Sequence, residues 1–102
     1  MNALIERHRK SIEDLCRRFH VRRLELFGSA TRADFKDAES DLDFLVEYLP
    51  LNPGQLADAY FGLLAELEDV FQRPIDLVMT RAIKNRFFLE AANKTRTELY
   101  AA

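Results

Sequence analysis

Three aspartates in the middle of the chain have the side-chain chemistry and the spacing of a divalent-metal site. Asp41 and Asp43 are two residues apart in an apolar segment, and Asp76 interrupts another. If the first segment is a strand, Asp41 and Asp43 point to the same side of the sheet, with Cβ atoms about 6–7 Å apart. Carboxylates this close repel each other unless a cation neutralises them, and Mg²⁺ or Mn²⁺ prefers oxygen ligands. We predict that Asp41, Asp43 and Asp76 bind metal, although an Asp-x-Asp pair alone is also common at solvent-exposed strand ends.

A possible phosphate-binding turn precedes the aspartates. Gly28 and Ser29 directly follow an apolar segment, and a glycine there lets the backbone turn sharply and approach a ligand. Backbone amides and the Ser29 hydroxyl could hold phosphate oxygens, and Arg32 could add a charge-assisted contact. No Gly-Lys-Ser/Thr ending follows, which excludes a P-loop. Gly-Ser alone indicates only a turn, so its weight comes from the combination with the aspartates.

Hydrophobic periodicity predicts the elements that position these residues. The predicted elements are, in chain order, a helix over 3–19, a strand over 21–27, a loop over 30–40, a strand over 41–47, a helix that begins at Asn52-Pro53 and ends before Arg73-Pro74, a strand over 75–79, and one or two helices over 81–100. His8 falls on the apolar stripe of the first helix and His20 at its end, so both are predicted to be structural. Strands that alternate with helices indicate an α/β domain with a largely buried central sheet.

Composition limits the function further. The 102 residues are 48% hydrophobic and 31% charged, which predicts one globular domain over residues 1–102. No segment is apolar enough for a membrane span or a signal peptide, and the single cysteine, Cys16, is consistent with a reducing cytoplasm. Residues 24–76 contain twelve acidic and three basic side chains. Such a region repels nucleic-acid phosphates unless cations are bound, so we expect no direct nucleic-acid binding.

Together, the segments Leu26-Phe27-Gly28-Ser29, Arg32 and Ser40-Asp41-Leu42-Asp43 resemble the DNA polymerase β-like nucleotidyltransferase superfamily. More narrowly, the chain resembles the minimal nucleotidyltransferases, single-domain prokaryotic proteins, over nearly its whole length. The resemblance implies a mixed central sheet flanked by helices. Thr31-Arg32-Ala33 stands where the family usually has Ala-Arg-Gly, and the spacing from Ser29 to Asp41 is one residue longer than is usual. Both departures are expected to change the direction in which the Arg32 side chain points.

The resemblance also implies an activity, which is magnesium-dependent transfer of a nucleotide from a nucleoside triphosphate such as ATP. Two metal ions would be bridged by Asp41 and Asp43, and Asp76 would bind the ion beside the attacking hydroxyl and accept its proton. Gly28, Ser29 and Arg32 would bind the triphosphate. A cytoplasmic, prokaryotic location is implied.

The acceptor is expected to be another protein, because 102 residues leave little room for a separate acceptor pocket. Minimal nucleotidyltransferases are commonly antitoxins paired with a HEPN-domain ribonuclease toxin, and the activity reported for the family transfers AMP from ATP to a tyrosine of that toxin. Two alternatives remain open. One is an antitoxin that acts by binding alone, through its basic flanks and the apolar residues Phe87 and Phe88. The other is an enzyme that modifies a small alcohol such as an aminoglycoside.

Overall fold

The described part of the chain contains both helices and strands, as the sequence predicts. The computed structural model describes residues 3–27, 42–80 and 96–102. Within these ranges the elements are α1 (Ala3–Arg7), α2 (Arg9–Arg18), β1 (Val21–Phe27), β2 (Leu42–Tyr48), α3 (Pro53–Phe71), β3 (Ile75–Met79) and β4 (Thr97–Ala101). The strands form one mixed sheet in the order β3-β2-β1-β4, in which β1 is antiparallel to β2 and β4, and β2 is parallel to β3. The predicted α/β class with a mixed central sheet is confirmed.

The main core lies between the helices and one face of the sheet. Because side chains alternate along a strand, every second residue of β1 and β2 reaches this core. Its fully buried strand residues include Leu24, Leu26, Leu42, Phe44 and Val46. Ile5 and Ile12 of the first two helices and Leu63 and Leu67 of α3 pack against them. The opposite face of the sheet is therefore where β1, β2 and β3 present their remaining side chains.

The start of α3 confirms the predicted helix signal. The Asn52 side chain accepts a hydrogen bond from the Gln55 backbone N–H at 2.9 Å, and the Gln55 side chain accepts one from the Asn52 N–H at 3.2 Å. This capping box satisfies two backbone donors at the helix start, and Pro53 occupies the first turn. The Tyr60 hydroxyl then donates to the Leu77 carbonyl at 2.7 Å, which ties the helix to β3.

The first predicted helix is interrupted. The prediction of one helix over 3–19 is wrong at His8, where α1 ends and α2 begins. The His8 backbone N–H bonds to the Ile5 carbonyl at 3.1 Å, a tight turn rather than a continued helix. The half-buried His8 ring packs edge-on against Phe71 with centroids 5.2 Å apart, so tertiary packing holds the turn. His20 has a positive φ of 61° at the end of α2, as expected for a helix-end residue.

The end of the chain is a strand. The prediction of helix up to residue 100 is wrong for Thr97–Ala101, which form the edge strand β4. Pairing with β1 explains the difference, because Leu24 lies opposite Tyr100 and buried Leu99 joins the main core. The rest of that predicted helical segment (81–95, with Phe87 and Phe88) and the predicted loop (30–40) lie outside the described residues. No helix in the described part of the chain is long and apolar enough to cross a membrane.

Candidate active site

Two of the predicted metal ligands lie side by side on the sheet. Asp43 of β2 and Asp76 of β3 are direct partners in the parallel register. Neighbouring strands are about 4.8 Å apart, and partnered residues project from the same face. Asp43 is half-buried and Asp76 is exposed. Tertiary structure therefore places these two carboxylates together, although 33 positions separate them in the sequence.

The end of β1 lies next to these carboxylates. Phe27, the last residue of β1, is the antiparallel partner of Asp43. Gly28 and Ser29 follow Phe27 directly in the sequence. Of the six residues predicted for the site, Asp43 and Asp76 are described, whereas Gly28, Ser29, Arg32 and Asp41 lie outside the described residues.

The surroundings of the carboxylates favour strong electrostatic interactions. Phe27, Leu45 and Val78 form a small apolar cluster on the same face, next to the two aspartates. Apolar side chains exclude water, which lowers the dielectric constant around half-buried Asp43 and strengthens its attraction for a cation, whereas exposed Asp76 is screened by water.

The donor set of Asp43 and Asp76 fits a hard divalent cation. Carboxylate oxygens are the ligands that Mg²⁺ prefers, usually one or two from protein with the rest from water and phosphate. Among the described residues, no group of three or more His, Cys, Asp or Glu side chains could hold a metal. Asp43 and Asp76 could thus hold an ion, with Asp41 as the predicted third ligand.

A partly buried ion pair that sequence reasoning missed lies on the same face. Glu25 of β1 is 7% exposed and accepts hydrogen bonds from Nε and Nη2 of Arg96, with Nε to Oε2 at 2.8 Å. Strand alternation could have placed Glu25 beside Phe27 on this face. Its partner is 71 residues away and could be found only from the pairing of β4 with β1.

A cavity of about 550 Å³ lies at the opposite end of the sheet. It is lined by Tyr48, Leu51, Leu56, Met79 and Thr80, among others, where β2 and β3 end. Asp43 and Tyr48 are five residues apart on β2, which corresponds to roughly 17 Å along a strand. The cavity is therefore separate from the carboxylates and is not the candidate active site.

Comparisons with known proteins agree with this geometry. The model of the nucleotidyltransferase domain family matches residues 8–100. No curated protein sequence matches the chain. A solved structure assigned as a minimal nucleotidyltransferase aligns with a TM-score of 0.75 at 24% identity, over 95% of each chain.

Two further solved structures with this fold come from toxin–antitoxin complexes. One is a complex of tri-AMPylated HEPN toxin from Shewanella oneidensis with MNT antitoxin, with a TM-score of 0.65, 19% identity, and coverage of 95% of this chain and 72% of the other. The second is a toxin–antitoxin complex with AMP-PNP, with a TM-score of 0.67, 20% identity, and coverage of 92% and 73%. At these identities the likeness establishes the fold. Because the family model spans nearly the whole chain and the fold agrees, the chain belongs to the nucleotidyltransferase domain family.

Proposed function

We propose that the protein is a magnesium-dependent nucleotidyltransferase that acts as an antitoxin by transferring AMP from ATP to a tyrosine hydroxyl of a partner HEPN toxin. The observation that carries the proposal is the in-register pair of Asp43 and Asp76 beside the end of β1, in a chain of the nucleotidyltransferase domain family. Two adjacent carboxylates repel each other, and a bound cation would offset that repulsion, so a metal-dependent role would explain why they lie together.

The chemistry is a substitution at the α-phosphorus of ATP. The tyrosine oxygen forms a bond to the α-phosphorus, the bond from that phosphorus to the bridging oxygen of the β-phosphate breaks, and pyrophosphate leaves. Asp76 is exposed and would accept the hydroxyl proton, while Asp43 and Asp41 would hold the metal ions. Bound magnesium would lower the pKa of the hydroxyl and neutralise charge on the leaving pyrophosphate.

The identity of the partner is supported by the structural neighbours. One neighbouring complex contains a tri-AMPylated HEPN toxin with its MNT antitoxin, and another contains AMP-PNP. A HEPN toxin, ATP as the nucleotide donor and a cytoplasmic location together form one consistent proposal. Neutralisation of a ribonuclease by a covalent nucleotide also requires no acceptor pocket within this chain.

The test is a transfer assay with a purified HEPN toxin as acceptor. The mixture receives Mg²⁺ and ATP labelled in either its α- or its γ-phosphate. We expect label from the α-phosphate alone on the toxin, and none after chelation of the metal. Asp76→Asn and the double change Asp41→Asn with Asp43→Asn should abolish labelling, whereas Asp58→Asn, an exposed change on α3, should leave it intact.

Toxin activity separates this proposal from its alternatives. If the double aspartate variant labels nothing yet still suppresses RNA cleavage by the toxin, neutralisation occurs by binding and the proposed activity is wrong. Label on a small alcohol such as an aminoglycoside, with none on the toxin, would instead identify a small-molecule enzyme. Undiminished labelling by the double variant would exclude these aspartates as metal ligands.

A further inference from the structure

A continuous apolar groove lies at the end of the sheet opposite the carboxylates. The cavity of about 550 Å³ described above adjoins a second one of about 480 Å³, because Leu51, Leu56 and Met79 line both. The remaining walls come mainly from the segment that joins β2 to α3 and from one side of α3. These two cavities together are called the distal groove below.

The exposed large hydrophobic side chains of the described residues both lie on the distal groove. Leu49 is 37% exposed and lines the first cavity, and Phe61 is 66% exposed and lines the second. The Phe61 ring packs edge-on against Tyr60, with ring centroids 5.2 Å apart. Contact of these side chains with water is unfavourable, and a contiguous apolar surface commonly marks an interaction site. The distal groove is therefore suited to an apolar segment of another molecule.

The charges around the distal groove favour a basic partner. Helix α3 contains four acidic residues and no basic residue. Asp58 and Glu68 are exposed and lie three residues before and seven residues after Phe61, so both are on its side of the helix. Arg22 and Glu47 line the other end of the groove and pair with each other at 3.8 Å, so their charges compensate. The groove thus combines apolar walls with a negative rim on α3.

A second copy of this chain complements the distal groove poorly. A two-fold dimer would pair the same surface of both subunits, so the acidic sides of two α3 helices would face and repel each other. The basic residues of α2 already have acidic partners within the chain. Arg17 is 3.0 Å from Asp14, and Arg18 is 3.8 Å from Glu66. Charge therefore favours a different protein as the occupant.

We propose that the distal groove docks the partner toxin, through an apolar segment of the toxin that is flanked by lysine or arginine side chains. The identity of the partner rests on the proposed function. A ribonuclease binds the phosphates of RNA and therefore exposes basic side chains, which complement the acidic rim on α3. A small domain is about 30 Å across, so a toxin bound at the groove also reaches the carboxylates roughly 17 Å away along β2.

The experiment measures the affinity of the full chain for a purified HEPN toxin, together with KM and kcat for transfer of α-labelled AMP. Phe61→Ser should weaken toxin binding and raise KM for the toxin, each by at least about tenfold, because a buried aromatic anchor contributes strongly to an interface. Binding of ATP and kcat at saturating toxin should not change. Phe61→Leu keeps an apolar side chain and should retain most of the affinity. Asp76→Asn is the matched control, which should lose transfer yet bind the toxin like the wild-type chain.

Salt tests the charge of the partner. Affinity for the toxin should fall about fivefold between about 0.05 and 0.5 M NaCl, because salt screens the attraction between the acidic rim and basic side chains. The ratio of affinities between the wild-type chain and Phe61→Ser should persist at both concentrations. An affinity that does not fall with salt would exclude a basic partner surface and overturn the inference.

Circular dichroism shows whether each variant folds. If Phe61→Ser does not fold, Leu49→Ser at the other cavity should show the same loss of toxin affinity. Equal toxin affinity of the wild-type chain and these variants would overturn the inference. A wild-type dimer that Phe61→Ser converts to a monomer in light scattering would identify a second copy as the occupant and would also overturn it. Toxin binding that depends on Phe61, without any label on the toxin, would support the docking site and refute the proposed activity alone.

Discussion

Replacement of Asp76 by asparagine should stabilise the metal-free protein while it abolishes transfer. Asp43 and Asp76 are partners on neighbouring strands, which lie about 5 Å apart, and we take that spacing as the separation of their charges. Coulomb repulsion at that distance is about 0.8 kcal/mol in water and about 3 kcal/mol at an effective dielectric constant near 20. Because Asp76 is exposed, the value in water is the better guide. We expect a gain of about 1 kcal/mol in the free energy of unfolding.

The measurement is thermal unfolding in low-salt buffer at neutral pH. A gain of about 1 kcal/mol corresponds to a rise in Tm of about 4–8 °C for a domain near this size. With EDTA present, Asp76→Asn should therefore unfold at a higher temperature than the wild-type chain. Saturating Mg²⁺ should raise the Tm of the wild-type chain and have much less effect on the variant, because ligand binding stabilises only a folded state that binds the ligand.

Two controls define what would refute this reasoning. Asp58→Asn removes a carboxylate from the exposed surface of α3 and should change the metal-free Tm little. About 1 M NaCl should remove most of the gain of Asp76→Asn, because the screening length is then near 3 Å. If Asp76→Asn unfolds at the same or a lower temperature than the wild-type chain in EDTA, the two carboxylates do not repel each other as the register implies. A gain that persists in high salt would have a cause other than charge.

Three further outcomes test local features of the fold. Asn52→Ala should lower the free energy of unfolding by about 1 kcal/mol in urea titrations, because it removes the side-chain acceptor that caps α3, whereas Asn52→Ser should be nearly neutral. Gly62→Ala should destabilise the fold by about 1 kcal/mol, because its new Cβ would lie 2.5 Å from Phe19 Cε1 and this overpacking outweighs the better helix propensity of alanine. In a Phe19→Ala variant, where that ring is absent, the same change should be stabilising. Burial raises the pKa of the Cys16 thiol from 9.0 to about 12, so the unfolded chain loses this proton first and stability should fall as pH rises from about 9 towards 12. Cys16→Ala should lack that pH dependence in denaturant titrations, and a pH slope equal to that of the wild-type chain would contradict the assignment.

Local patterns in the sequence correctly predicted the elements whose signals lie within a few residues. The alternation in Leu42-Asp43-Phe44 indicates a strand with one buried face, and the structure buries Leu42 and Phe44. The cap at Asn52 likewise marks the start of α3. Such signals depend on short-range sterics and hydrogen bonds, which the neighbouring residues determine on their own. The predicted roles of Gly28, Ser29, Arg32 and Asp41 remain predictions.

Only the tertiary structure decided the features that depend on contacts between distant segments. The alternation over Thr97–Ala101 is too short to exclude a helix, and pairing with β1 makes it a strand. His8 interrupts its helix because its ring packs against Phe71, more than sixty positions away.

The candidate site depends both on local sequence and on tertiary structure. The spacing of Asp41 and Asp43, together with the later Asp76, predicts metal binding from the sequence, because a carboxylate's preference for hard cations is a property of the side chain itself. The placement of Asp43 beside Asp76 depends on the parallel pairing of β2 with β3, and that of Arg96 on the pairing of β4 with β1. Strand pairing depends on contacts between distant segments and on burial of the whole sheet, so it cannot be predicted from any single local segment of the sequence.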